Sequence, residues 1–311
     1  MSTGAASIIL LAGPTASGKT GLSIRLAKAV DGEIVNADSM QLYADLQILS
    51  ARPGTDEQGG VPHHIFGVLD AAERASVGWW QRQALSLIQE IRARGRRPIL
   101  VGGTGLYFEA LTRGLAEMPE ISAETRAKTD EIAAGGNGPL QEAARNFDAA
   151  ATERIDANDL QRLRRIVEIG LQTGQPITAF QADTAPPLAA GDWTGLVTDI
   201  DRAELYRRIE ARFDAMIAAG ALDEARTLAD RDLDPDLPAM KAIGVPPLIA
   251  FIRGELDMAD AISQAKQDSR RYAKRQLTWF RNRMAGWPRV TFPYRQTDID
   301  NVIFRLGNCR G

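Results

Sequence analysis

The 311-residue sequence predicts an α/β protein with a parallel sheet, interrupted by an all-helical insertion, on three observations. A glycine-rich loop joins an apolar run to a helix-like stretch near the N-terminus. Strand and helix signals then alternate through the first third of the chain. From about Pro119 to Gln181 the strand signals stop, Ala, Glu, Arg and Gln dominate, and strands resume only afterwards.

The loop reads Gly13-Pro14-Thr15-Ala16-Ser17-Gly18-Lys19-Thr20 and fits G-x-x-x-x-G-K-[ST]. Its glycines let successive backbone N–H groups face one anion, and the helix that follows turns its positive end on the same point. In this pattern Lys19 supplies a point charge to the terminal phosphate oxygens, and the Thr20 hydroxyl binds a bridging Mg²⁺. With Ile8 to Ala12 as the strand before it and Lys19 to about Ala29 as the helix after it, the core is of the P-loop nucleoside-triphosphate-hydrolase kind. The loop alone does not distinguish a nucleotide from another diphosphate.

Next, "GEIVNADS" and "RRPILVGGTG" read as strands and "VGWWQRQALSLIQEIRARG" as the helix between them. Such alternation implies parallel pairing through right-handed crossovers, and ligands of such sheets sit beyond the carboxyl ends of the strands. Those ends are Gly13, Asp38 and Gly102 to Thr104. Asp38 has two readings, a helix cap or Mg²⁺ ligand and a general base against a substrate nucleophile. Gly102 and Gly103 allow close backbone approach, and Thr104 offers a hydroxyl where a leaving phosphate would emerge.

Within the helical block, "LQRLRRIVEIGLQTG" has helical spacing that places Leu160, Leu163, Ile166, Val167 and Leu171 on one face. The Pro/Gly-rich "ADTAPPLAAGDW" closes the block. After it "TGLVTDID" is a strand and "RAELYRRIEARFDAMIAAG" a helix ended by Gly220. Arg208 and Arg212, four apart on that helix, share a face, for surface ion pairing or for clamping a diphosphate opposite the loop. The expected organisation is residues 1–117 as the first part of the core, 118–195 as the helical insertion, and 196–311 as the return to the core with C-terminal helices.

At 44% hydrophobic and 25% charged residues, the composition is that of a soluble globular protein. No apolar run approaches membrane-crossing length and no signal peptide is recognisable, so a cytoplasmic location without membrane association is expected. The net charge of −3 argues against a protein that coats nucleic acid through a basic total. Local basic clusters still leave a polyanionic partner open: Arg270, Arg271, Lys274, Arg275, Arg281 and Arg283; Arg162, Arg164 and Arg165; and Arg92, Arg94, Arg96 and Arg97. His63 and His64 lack the spacing of a zinc site and read as hydrogen-bonding loop residues. Trp79 and Trp80 read as core and rim aromatics, and the single cysteine, Cys309, as a bystander without a disulfide partner.

The stretches "GPTASGKT", "NADSMQLY", "PHH", "VGGTGLYFEALTRGL", "RIDANDLQRLRRIVEI", "RRIEARF" and "AKRQLTWFRNR" stand in the order and spacing of bacterial tRNA dimethylallyltransferases, which the chain resembles over nearly its whole length. The resemblance implies transfer of the isopentenyl group of dimethylallyl diphosphate to N6 of adenosine 37 in the anticodon loop of tRNA. It implies that the P-loop, Gly13 to Thr20, holds the diphosphate of an isoprenoid, with Mg²⁺ at Thr20 and a monomeric enzyme. Asp38 then corresponds to the general base, Thr104 to the residue near the bridging oxygen and Arg212 to the diphosphate clamp. Asp38, Ser39, Met40 and Gln41, Thr104, Arg126, and Gln161, Arg162, Leu163, Arg164 and Arg165 match positions that contact tRNA. The sequence departs from the family where "GTAKP" is usual and Leu49 to Pro53 read "LSARP", and where Val245 replaces an aromatic, which weakens any role for Arg52 and Lys241.

Three rival classes are weighed against this. A small-molecule kinase would use the same loop for ATP but has no need of the QRLRR segment. A transferase acting on free adenine nucleotides would not need the insertion or the basic C-terminal helix. A non-catalytic RNA-binding protein would not need Asp38 and Thr104 at the strand ends.

Overall fold

The computed structural model describes residues 7–116, 118–181 and 184–308, so Cys309 lies outside the described residues. The chain divides into two compact units, one of residues up to Thr112 and from Leu188 onward, the other of Arg113–Pro187.

The first unit is built on six parallel strands, β1 (Ile8–Ala12), β2 (Gly32–Asn36), β3 (His63–His64), β4 (Arg97–Gly102), β5 (Trp193–Asp199) and β6 (Arg289–Thr291), in the order β3-β2-β4-β1-β5-β6. IILLA of β1 and GEIVN of β2 are buried throughout, as parallel strands covered on both faces must be. Because β2, β4 and β1 are neighbours, Asp38, Gly102 to Thr104 and Gly13 leave the sheet side by side.

One face is covered by α1 (Lys19–Val30), with Leu22 and Leu26 against Ile9, Leu11, Ile34 and Ile99. On the other face lie α2 (Val77–Ala93) and α3 (Gly105–Thr112). Trp80 of α2 is fully buried, stacks on Tyr107 with ring centroids 4.1 Å apart, and donates its indole N–H to the Asn36 carbonyl at 2.8 Å. That bond pins the end of β2 two residues before Asp38.

Two edge strands are absent from the sequence reading. His63 and His64, expected in a loop, pair with Ile34 and Val35 as β3, and a two-residue strand offers no alternation to detect. His64 Nε2 lies 2.6 Å from Glu33 Oε2, and buried Glu33 also accepts from Arg94 at 2.7 and 3.2 Å and faces Arg96 at 3.6 Å. Burial works to raise the Glu33 carboxyl, but the bonds from Arg94 and His64 outweigh it and hold the group below the ordinary carboxylate range. Arg92 donates to the Asp192 carbonyl at 3.2 Å. Arg94 and Arg96 of this third basic cluster therefore pair with a carboxylate at the amino end of β2, and Arg92 ties down the residue before β5.

The second unit contains α4 (Ala123–Ala134), α5 (Asn137–Phe147), α6 (Ala149–Thr152), α7 (Leu160–Thr173) and α8 (Ile177–Gln181). Its core joins Leu163, Ile166, Val167 and Ile169 of α7 to Leu140 and Ala144 of α5 and Ile177 of α8. Leu160, expected on the packed face, is 39% exposed, because it opens the helix directly after the Asp159 cap and precedes the turns that pack. The boundaries differ from 118 and 195. Trp193, Thr194 and Gly195 pair with Ile8, Ile9 and Leu10, so the last residues assigned to the insertion already belong to the sheet through backbone pairing with the central strand.

The first unit resumes where the Leu188 N–H donates to the Leu111 carbonyl at 3.1 Å. It continues through β5, α9 (Arg202–Ala218), α10 (Ala221–Asp230), α11 (Val245–Ile252), the 26-residue α12 (Met258–Arg283), β6 and α13 (Gln296–Asn308). Gly220, expected to end a helix, has φ of 103° and stands between α9 and α10 as the cap of the latter.

Glycine at 102 is required by a close backbone approach, since a Cβ there would lie 1.9 Å from the Ala37 carbonyl oxygen. Gly102→Ala is expected to destabilise the protein by about 2 kcal/mol or more in a denaturant titration, because backbone rather than a flexible side chain must move. Gly21→Ala in α1, where a Cβ meets nothing within 4 Å, is expected to stabilise by about 0.5 kcal/mol.

Candidate active site

The loop after β1 turns through Ala16 and Gly18, both with positive φ (61° and 85°), before α1 begins at Lys19. Thr198 of β5 packs beneath it, where a Cβ on Gly13 would lie 1.9 Å from its hydroxyl, and that hydroxyl donates to Ser17 Oγ at 2.9 Å. Several loop N–H groups are already used. Gly13 donates to Gly102 O at 3.2 Å, Thr15 to Gln276 Oε1 at 2.9 Å and Ser17 to Pro14 O at 3.3 Å. An anion would therefore meet the N–H groups from Ala16 and from Gly18 onward, at the positive end of α1.

Three cations converge on this turn. Lys19 Nζ lies 3.3 Å from the Pro14 carbonyl. Arg208 of α9 donates to the Ala16 carbonyl at 2.8 Å and lies 4.5 Å from the centroid of the Phe292 ring. Arg212, one turn on, donates to Thr15 Oγ1 at 2.5 Å. The shared helix face thus turns to the loop rather than to surface carboxylates. Tyr294 donates its hydroxyl to the Ser17 carbonyl at 2.7 Å and helps to fix the outer side of the turn.

Burial, assisted by repulsion from a neighbouring cation, lowers the proton affinity of Lys19 and Arg212. Lys19 is packed deep, though part of its surface remains open. Burial brings it down to about 8, opposed by the attraction of Asp38 and assisted by the repulsion of Arg212. Arg212 is brought down to about 10, first by burial and then by Arg208, again with Asp38 opposing.

A cavity of about 240 Å³ opens beside the loop, lined on its polar side by Thr15, Asp38, Ser39, Arg212 and Tyr272. Its apolar wall includes Met40, Leu49, Ile209, Phe213, Met216 and Ile243. Asp38 is held by a side-chain turn. Its Oδ1 accepts from the Met40 N–H at 3.1 Å, while Asn36 donates to its carbonyl at 3.0 Å and accepts from its N–H at 2.8 Å. Thr104 Oγ1 accepts from the Ser39 N–H at 3.0 Å and lies 3.3 Å from Ser39 Oγ. Gln41, by contrast, donates inward to the carbonyls of Ser50 and Ala51 at 3.0 Å each and braces the stretch that carries Leu49 and Ser50. Glu224 of α10 holds the same stretch, accepting from the N–H groups of Gln47, Ile48 and Leu49 at 2.7–2.8 Å.

For a metal, the described residues contain no cluster of three His, Cys, Asp or Glu side chains. The Thr20 hydroxyl at the start of α1 suits a Mg²⁺ that takes its remaining ligands from phosphate oxygens and water, the common arrangement for this ion.

The sequence reading assigned no role to Tyr272 and Gln276. Both lie in α12, four residues apart, within "AKRQLTWFRNR" and the stretch before it, which basic side chains dominate. The available signal was a polar residue on the buried face of an amphipathic helix, between Ala273 and Phe280.

In the second unit, Arg126 and Gln161 are exposed. Arg162 pairs with Asp159 at 3.3 Å, Arg165 with Glu168 at 3.3 Å, and Arg164 with Asp130. Leu163, named with this run, is 1% exposed in the core of the unit, so its side chain is withdrawn from any RNA and it serves to seat α7.

Because the Lys19 value is lowered by folding, the cost of burying its charge is fully present below about pH 8 and is relieved as pH rises toward the free value of 10.5. Anion binding has the opposite trend, since it needs the charged form. Calorimetric titration with inorganic diphosphate from about pH 7 to about pH 10 is expected to show affinity falling above about pH 8, with proton uptake on binding. Lys19→Met should bind more weakly and lack this component, and parallel curves for the two proteins would refute it.

The IPP transferase family matches residues 41–283, and the isopentenyl transferase family residues 6–64. The tRNA dimethylallyltransferase of Maricaulis maris is 56% identical over 283 residues, covering 91% of this chain and 92% of its own. That of a Caulobacter species (strain K31) is 49% identical over 285 residues, covering 91% and 92%. Among solved structures, the full-length tRNA isopentenylpyrophosphate transferase of Bacillus halodurans superposes with a TM-score of 0.70 at 34% identity, over 98% of this chain and 96% of that one. A eukaryotic dimethylallyltransferase acting on tRNA gives 0.77 at 25% identity, over 91% and 73%. With a glycine-rich turn, a carboxylate and an apolar wall beside one cavity, and with these likenesses along most of its length, the chain belongs to the tRNA dimethylallyltransferase family.

Proposed function

We propose that the protein transfers the dimethylallyl group of dimethylallyl diphosphate to N6 of adenosine 37 in the anticodon loop of tRNA, releasing diphosphate. The observation that carries this is the two-sided cavity, in which a cationic phosphate cradle and a carboxylate share one space with an aliphatic wall. A five-carbon isoprenyl tail suits that wall, and the family match favours transfer to tRNA over the kinase reading.

In the proposed reaction a bond forms between N6 and the terminal allylic carbon as the carbon–oxygen bond to diphosphate breaks. The N–H groups of the turn, Lys19 and Arg212 stabilise the charge that grows on the leaving group. Thr104 stands near the bridging oxygen, and Asp38 takes the proton that N6 sheds. Mg²⁺, when bound at Thr20 and the diphosphate oxygens, would neutralise further charge. The adenine must leave the anticodon stack to reach the cavity, at a cost of about a few kcal/mol that single-stranded loops keep low. Ser39 and Met40 beside Asp38, and Arg126, Gln161, Arg162, Arg164 and Arg165 in the second unit, are the proposed tRNA contacts, with Gln41 acting through the loop it braces. We take the working enzyme to be a cytoplasmic monomer; no helix among the described residues is long and apolar enough to cross a membrane.

The decisive assay offers labelled dimethylallyl diphosphate and unmodified tRNA, with ATP as the competing donor. Asp38→Asn is expected to bind both substrates but to lose about 10²-fold or more in single-turnover rate, at every Mg²⁺ concentration. A rate restored by excess Mg²⁺ would reassign Asp38 to the metal.

Replacing Arg162, Arg164 and Arg165 together by Gln is expected to weaken tRNA binding and to flatten the log–log salt slope by up to about 2. Diphosphate affinity should hold. Because each of these arginines already has an acidic neighbour, single replacements should show less than a third of the effect.

A further inference from the structure

Gln276 joins two loops that the sheet by itself leaves apart. It projects from α12, is 5% exposed, and accepts the Thr15 N–H on Oε1 at 2.9 Å while donating from Nε2 to the Gly103 carbonyl at 2.9 Å. The fit is close enough that a Cβ on Gly103 would lie 2.2 Å from Nε2. Of the two amide orientations, only this one satisfies both partners. An ionised carboxylate would offer a second acceptor to a carbonyl oxygen, and an aliphatic chain would leave a buried N–H and C=O unpaired. The site therefore calls for a carboxamide of this length.

What the two ends hold gives the bridge its meaning. Thr15 carries the hydroxyl that receives Arg212. Gly103 precedes Thr104, whose hydroxyl receives the Ser39 N–H beside Asp38. Tyr272, one helical turn before Gln276, turns its hydroxyl toward Thr104 and Gln276, and burial together with the Asp38 charge pushes that phenol up, so it stays neutral. On the leaving-group side of the cavity stand Arg212 and Thr15 of the turn, and on the acceptor side Asp38 and Ser39, the latter bonded to Thr104. One side chain measures the distance between them.

We infer that Gln276 is a positioning residue for the transfer step, setting the separation between the diphosphate cradle and the Thr104–Asp38 pair. The inference rests on the transferase reading above. Because the Thr15 N–H faces Gln276 instead of an anion, loss of the bridge should disturb alignment more than diphosphate affinity, and misplacement of reacting groups by about 1 Å costs on the order of 10²-fold in rate.

The test uses Gln276→Met, which keeps shape and loses both bonds, and Gln276→Glu, which keeps the Thr15 bond and sets a carboxylate against the Gly103 carbonyl. Wild type and both variants are compared for melting temperature, calorimetric Kd for inorganic diphosphate, and kcat and KM with tRNA and dimethylallyl diphosphate at a temperature where all are folded. The expected result is a fall in kcat of about tenfold to a hundredfold in both variants, with Kd and the KM for dimethylallyl diphosphate within about threefold of wild type. Variants with wild-type kcat, variants whose diphosphate affinity and kcat fall in parallel, or failure of both to fold would each overturn the role of Gln276 while wild type remains active. Absence of transfer by wild type would overturn the transferase reading and this inference with it.

Discussion

The burial of two positive charges, Lys19 and Arg212, at one turn is the constraint that the rest of the architecture answers. Charges buried there lose hydration, so Lys19 and Arg212 both hold their protons less tightly than in water, through burial first, with repulsion from a neighbouring cation adding to it. Asp38 is the anion whose field opposes both effects. Every bond that fixes Asp38, from the Trp80 indole on Asn36 to the Met40 N–H on its carboxylate, therefore also acts on the cations across the cavity. A bound anion would add to the field of Asp38 on the same cations, so charge balance and ligand capture are one property of the same groups.

That balance depends on close backbone contact. The turn lies on Thr198, the β4 end lies on Ala37, and both contacts exist because Gly13 and Gly102 have no side chain. Such contacts leave little slack, and the geometry of the strand ends is transmitted from β2 to β4 by backbone and from the β1 loop to β5 through the Thr198 hydroxyl. Helices α9 and α12 then deliver the long side chains, Arg208, Arg212 and Gln276, that a strand end cannot reach by itself.

The parts of the fold legible in the sequence are those where one signal dominates. IILLA and GEIVN are apolar runs bounded by turn residues, and the glycine-lysine-threonine turn carries its own stereochemistry. β3 and β6 were not legible, since strands of two and three residues exist only through pairing with a neighbour. Arg92, Arg94 and Arg96 read as a patch open to a polyanion, yet their partners Glu33 and the Asp192 carbonyl lie far along the chain, where spacing says nothing. Asp38, Thr104 and Arg212 were visible through position and resemblance. Gln276 was hidden because its meaning lies in two carbonyl-end loops, one 261 residues away in sequence and the other 173.

The hydrogen bond from Leu188 to Leu111 has a consequence for how this molecule can be recombined. Departure and return of the chain around the second unit are held together by this backbone rung, so to the sheet-bearing unit Arg113–Pro187 is a loop whose ends are already closed. Loop-closure entropy grows only with the logarithm of length, about 0.6 kcal/mol per doubling. A longer, shorter or foreign segment spliced at this junction therefore carries little thermodynamic cost to the sheet, and the residues around the cavity keep their places.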